Sequence, residues 1–131
     1  MELSWKYDKP LNDPMVVRRF LDKYSVSLPD SLIEIIEKHN GGRPSEKAII
    51  TAANQEYVFK ALLSYNIGDK ETIYRIYPEL FKKTNWFPFA SDAAGNFICY
   101  DTKTKKYVLY NHETDTEETI VSMLNGILLM Q

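Results

Sequence analysis

Apolar and polar positions along the 131-residue chain change period twice, and each change predicts a change of element. From residue 12 to residue 40 the period is helical. Asn12-Asp13-Pro14 opens a first helix: Asp13 can accept from exposed backbone N–H groups, and Pro14 gives up no hydrogen bond at a first helical position. Met15, Val17, Phe20, Leu21 and Tyr24 then recur on one face. Leu28-Pro29-Asp30 opens a second helix in the same way, with Asp30 at the positive end of the helix dipole. Leu32, Ile35, Ile36 and His39 form its apolar side. Asn40-Gly41-Gly42 ends it, since glycine takes a left-handed cap conformation at little steric cost.

The middle of the chain is less regular. Residues 48–52 and 57–65 are rich in β-formers and flank an Asn54-Gln55 turn, which suits a strand pair; the run 59–63 fits a helix as well. Residues 70–77 form a short helix with Ile73, Ile76 and Tyr77 on one side, closed near Pro78 or continued briefly by Leu80-Phe81.

From Trp86 the period is two. Three short strands are expected at 86–90, 96–101 and 106–112, joined by turns at Asp92-Ala93-Ala94-Gly95 and Thr102-Lys103-Thr104-Lys105. Phe97, Cys99 and Asp101 lie on one face of the second strand and Ile98 and Tyr100 on the other, so that strand is central. Thr114 and Glu117 have capping-box spacing, which predicts a last helix through Ile120, Val121, Met123, Leu124, Ile127 and Leu128. Ile127-Leu128-Leu129-Met130 would be its buried end. The sum is an α+β fold: a single domain over 1–131 with a mixed, mostly antiparallel sheet flanked by helices.

Charge narrows the partners. Sixteen basic and 18 acidic residues leave a net charge of −2, with no general attraction for nucleic acid or anionic lipid. No direct nucleic-acid binding and no membrane association are therefore expected. Cys99 is the sole cysteine and cannot form an internal disulfide; with only two histidines it cannot build a structural zinc site either. No cofactor or metal is expected. The first residues carry no apolar leader, and no run approaches the ~20 residues of a membrane span, so a cytoplasmic location is expected.

Candidate chemistry is sparse. His39 is read as a helix-end residue facing carbonyls rather than a general base, because no nucleophile adjoins it. His112 beside Glu113, with Cys99 in the same sheet, raises a Cys/His pair, but central-strand cysteines are more often packing groups. Asp92-Ala93-Ala94-Gly95-Asn96 lacks the alternating oxygens and closing glutamate of a calcium loop, and Asn40-Gly41-Gly42-Arg43 lacks the lysine of a phosphate loop. No catalytic residue is assigned. The acidic run 113–118 reads either as helix capping or as a negative patch for a basic partner, through Glu113, Asp115, Glu117 and Glu118. Trp5, Tyr7 and Trp86 are core residues or interface anchors.

Taken in order, these features resemble the SUKH superfamily, which includes yeast Smi/Knr-type cell-wall regulators and many bacterial immunity proteins. The resemblance rests on Leu28-Pro29-Asp30, the helix into Asn40-Gly41-Gly42, Phe87-Pro88-Phe89-Ala90, Asp92-Ala93-Ala94-Gly95-Asn96 and Ile98-Cys99-Tyr100-Asp101. It covers about residues 12–125. Many members carry tryptophan in the strand before the final histidine, where this chain has Tyr110. The resemblance implies a non-enzymatic binder with Pro29, Asn40, Gly41, Gly42, Pro88, Gly95, Asn96 and Asp101 as structural motif residues. It further implies an immunity protein that neutralises the C-terminal domain of a polymorphic toxin, often a nuclease, by stoichiometric binding. The alternative is an intracellular scaffold or regulator of the Smi/Knr type, as in cell-wall synthesis control. Asp92, Glu113, Asp115, Glu117 and Glu118 are the residues expected to meet the partner.

Overall fold

The helical period at the start of the chain becomes two helices, α1 (Val16–Lys23) and α2 (Asp30–Lys38), in the computed structural model, which describes residues 3–80 and 85–126. α1 begins later than Pro14. Asp13 instead holds the turn before it: its carboxylate accepts from the Met15 N–H (3.0 Å) and its carbonyl from the Val16 N–H (3.1 Å). α2 starts at the expected place. Pro29 has the extended backbone a proline favours (φ −57°, ψ 142°), and its carbonyl accepts from both Leu32 and Ile33.

After α2 the chain enters β2 (Arg43–Pro44), which pairs with β1 (Trp5–Lys6) and ties the N-terminal arm down. Six longer segments follow: β3 (Ala48–Thr51), β4 (Glu56–Leu62), β5 (Trp86–Asp92), β6 (Phe97–Asp101), β7 (Lys106–Asn111) and β8 (Thr116–Ser122). Each pairs antiparallel with the next, and β8 returns to β3 through Ile50–Ser122 and Thr51–Ile120, closing a barrel. The helical option for 59–63 is not taken, because β4 is paired on both sides. α3 (Ile73–Leu80) connects β4 to β5. It starts later than expected and runs past Pro78, accepting the loss of one helical hydrogen bond there. Phe81 and residues 127–130 lie outside the described residues.

Most of the core is one cluster joining Val17, Phe20, Leu32 and Ile36 of the helices to Ile49, Phe59, Phe87, Ile98 and Leu109 of the strands. Each such side chain, fully buried, contributes roughly 1.5–3 kcal/mol. Cys99 and Val108 form a separate cluster under Trp86, Phe97 and Tyr110, which explains the apolar residues on both faces of β6.

The final helix expected from Thr114 is a strand. Two hairpins share one design here, and it overrides the capping-box spacing. At 101–106, the Asp101 carboxylate accepts from the Lys103 and Thr104 N–H groups and Lys105 takes a left-handed backbone (φ +61°). At 111–116, Asn111 Oδ1 accepts from Glu113 and Thr114, and Asp115 is left-handed (φ +55°). Asp and Asn suit such turns because their short side chains replace a backbone acceptor. Beyond the turn, Thr116, Thr119, Ile120 and Val121 are β-branched and prefer a pleated surface flanked by partners.

Candidate functional site

Two surfaces adjoin the 92–96 turn, and the motif residues are what shape them. Asn40, buried at the end of α2, donates from Nδ2 to the Lys9 carbonyl (2.8 Å) and to Ser64 Oγ (3.1 Å), and accepts at Oδ1 from the Tyr65 N–H (2.8 Å). One side chain thus joins the N-terminal arm, α2 and the loop after β4. Gly41 follows with φ +69°, and a Cβ on Gly42 would lie 2.8 Å from the His39 carbonyl and closer still to the Asp8 carboxylate. These glycines let the arm pass tightly over the helix end. Pro88 sits in β5 next to a register shift, the kind of irregularity at which a strand tolerates proline.

In the 92–96 turn, Asp92 is buried, and its carboxylate accepts from the backbone N–H groups of Ala94 (3.0 Å) and Asn96 (2.6 Å) and from Asn96 Nδ2 (3.0 Å). These hydrogen bonds turn its carboxylate onto the backbone of its own turn. Gly95 has φ +86°. Asn96 Oδ1 lies 3.1 Å from His112 Nδ1, so the turn abuts the start of the β7–β8 hairpin.

That hairpin carries the acidic run, but the four carboxylates diverge. Glu113, Asp115 and Glu117 are exposed. Asp115 accepts from the Tyr110 hydroxyl, and this hydrogen bond, more than burial, raises the phenol above its ordinary pKa. Tyr110, the residue where the resemblance expects tryptophan, therefore orients one of the patch carboxylates. Glu118 turns the other way: it accepts from Tyr57 and from Thr51 Oγ1 (2.8 Å) at the β3–β8 seam.

The catalytic candidates are not brought together. Cys99 is fully buried, and burial pushes its thiol up, the opposite of nucleophile activation. His112 hydrogen-bonds Asn96 rather than a thiol. His39 pairs through Nδ1 with Asp8 (2.8 Å) and stacks on Trp5 at 4.9 Å, so both Trp5 and His39 hold the arm on α2. Tyr7 is exposed beside the Arg43 guanidinium, and Trp86 covers the small cluster over Cys99. Among the described residues, no group of three His, Cys, Asp or Glu side chains is placed to hold a metal ion. None of the described helices is long and apolar enough to cross a membrane.

On the far side of the 92–96 turn lies a feature absent from the sequence reading: an open cleft of about 390 Å³ between α3 and the sheet. Lys60, Lys70, Arg75 and Glu71 provide its charge, and Ile76 and Phe97 its apolar lining. Glu71 pairs with Lys60 Nζ through one oxygen and accepts from Ser91 Oγ (2.8 Å) through the other. Partial burial alone would raise the Glu71 carboxyl; the hydrogen bonds from Lys60 and Ser91, with the charges of Lys60 and Arg43, outweigh it and hold the pKa below the usual value. The cleft joins residues from β4, α3, β5 and β6, so only tertiary packing assembles it.

Residues 14–125 match the family model described as the SMI1 / KNR4 family (SUKH-1). No curated protein and no solved structure matches the chain at a significant level.

Proposed function

The chain belongs to the SMI1 / KNR4 family (SUKH-1), and on that premise we propose that it is a non-enzymatic protein-binding domain that acts as an immunity protein. It works by stoichiometric binding to the C-terminal domain of a polymorphic toxin, in the cytoplasm of the cell it protects. The observation that carries this reading is the β7–β8 hairpin, where Glu113 and Glu117 are exposed and make no ion pair among the described residues. Asp115 stands with them, held by Tyr110. Three carboxylates on one paired hairpin suit a basic surface such as a nuclease cleft. Close charge pairs in such an interface contribute about 1.5–7 kcal/mol in coupling energy.

The experiment pairs the chain with the C-terminal domain of a polymorphic toxin from the same genome, chosen from genes neighbouring its own. Calorimetric binding at one to one, with rescue of growth in cells expressing the toxin domain, is the expected result. Reversal of Glu113, Asp115 and Glu117 to lysine should weaken binding and lower the association rate while leaving the fold intact. The absence of both binding and rescue would overturn the immunity role; recovery of cell-wall synthesis regulators as stoichiometric partners would favour a Smi/Knr-type scaffold instead.

A further inference from the structure

We propose that the cleft between α3 and the sheet is a second docking site, one that takes an acidic, partly apolar segment of a protein partner. The inference rests on the reading of the chain as a protein binder and adds a surface of opposite charge to the hairpin.

Charge complementarity identifies the occupant. Within the cleft, Lys60 is compensated by Glu71, and the Asp92 carboxylate is turned inward onto the backbone of its own turn. Lys70 and Arg75, both exposed, make no ion pair among the described residues. They are the uncompensated charges of the site. Thr72, the residue just before α3, also lines the cleft, so the positive end of that helix's dipole lies beside it. An incoming carboxylate can therefore meet the Arg75 guanidinium in a two-pronged hydrogen bond and Lys70 as a point charge.

The remaining lining favours a peptide over a polyphosphate. Ile76 and Phe97 are half-buried and offer apolar surface to an aliphatic side chain beside the carboxylate. Glu71 stays ionised in the cleft and would repel a dense run of phosphates, as would the chain's net charge of −2. The cleft also shares the 92–96 turn with the acidic hairpin: Gly95 lines the cleft, while a Cβ on it would lie 3.4 Å from the His112 ring. A partner presenting a basic patch flanked by an acidic segment would engage both surfaces, with one turn between them.

The test uses the full chain and a synthetic peptide of alternating glutamate and leucine, titrated by amide NMR and calorimetry. The expected result is saturable binding with shifts centred on Lys60, Lys70, Thr72, Arg75 and Phe97. The Lys70→Glu/Arg75→Glu variant, verified as folded by its amide spectrum, should bind at least about tenfold more weakly, the scale of one lost charged hydrogen bond. Lys70→Arg should retain binding. Three results would overturn the proposal: no binding, shifts confined to other surfaces, or equal displacement of the peptide by inorganic phosphate or a short oligonucleotide. The toxin domain separates the two readings. If wild type and the double variant bind it equally, the cleft proposal falls and the binding role stands. If neither binds it, the immunity reading falls while the peptide titration still decides the cleft.

Discussion

Tyr57 of β4 donates its hydroxyl to the Glu118 carboxylate of β8, reaching across β3, whose Thr51 donates to the other oxygen. The contact fastens the three strands at the seam where the barrel closes. Its main consequence is a Tyr57 pKa pushed up to about 12, chiefly by that hydrogen bond and then by burial. A raised phenol pKa means the fold prefers the neutral form. The stabilisation is therefore complete below the ordinary value of about 10 and is lost as pH rises from there through about 12. Glu118→Ala should bring the Tyr57 titration back toward 10, as followed by tyrosinate absorbance, and should cost about 1–3 kcal/mol in urea unfolding at neutral pH. An unchanged tyrosinate titration would remove Glu118 as the cause.

Asn40→Ala should be among the most destabilising polar substitutions in the chain. It leaves the buried Tyr65 N–H without its acceptor and removes the donor to Lys9 and Ser64. A loss of about 3 kcal/mol is expected from chemical unfolding, together with faster amide exchange in the N-terminal arm. Slow exchange in that arm would show that Trp5, His39 and Asp8 hold it without Asn40.

Gly42→Ala tests the tight passage of the arm. The added Cβ must displace the Asp8 carboxylate and press on the His39 carbonyl, and Asp8 is the partner of His39. Destabilisation of about 1–3 kcal/mol is expected, with loss of the His39–Asp8 contact from the NMR spectrum. Ala at the exposed Glu34 of α2 serves as the reference, within about 0.5 kcal/mol of wild type.

Cys99 should be inert in the native state. Its complete burial and raised pKa predict no reaction with a water-soluble disulfide reagent at mildly alkaline pH, and full stoichiometric reaction in denaturant. Rapid native labelling would reopen a nucleophilic role.

Lys105 carries an exposed side chain on a left-handed backbone, a conformation that costs an ordinary residue about 1–2 kcal/mol. Lys105→Gly should therefore leave stability unchanged or raise it slightly in thermal unfolding. Lys106→Gly, one residue later at the start of β7, should lower stability by up to roughly 0.5–1 kcal/mol. The opposite ranking would show that the Lys105 side chain supports the turn.

Local signals carried much of this fold. The Pro29-Asp30 start and the Asn40-Gly41-Gly42 stop bound α2 because a proline-fixed entry and a left-handed glycine are properties of a few adjacent residues. The β5, β6 and β7 strands and their turns were equally legible, since a period of two and an Asp or Asn at the turn act within one hairpin. The Thr114 to Glu117 spacing misled for the complementary reason. A capping box and an Asn-anchored turn compete for the same residues, and the flanking strands β7 and β3, distant in sequence, decided for the strand. The same distance effect divided the acidic run. Glu113, Asp115 and Glu117 face solvent while Glu118 seals the barrel, because pairing register sets which side chain turns inward. The turn chemistry around Asp92 hid its fate too: adjacent residues predicted the turn, but the burial of its carboxylate depends on the packed sheet. The basic cleft lies furthest from sequence, for Lys60, Lys70, Arg75 and Phe97 share no motif and meet only when α3 packs beside the closed barrel.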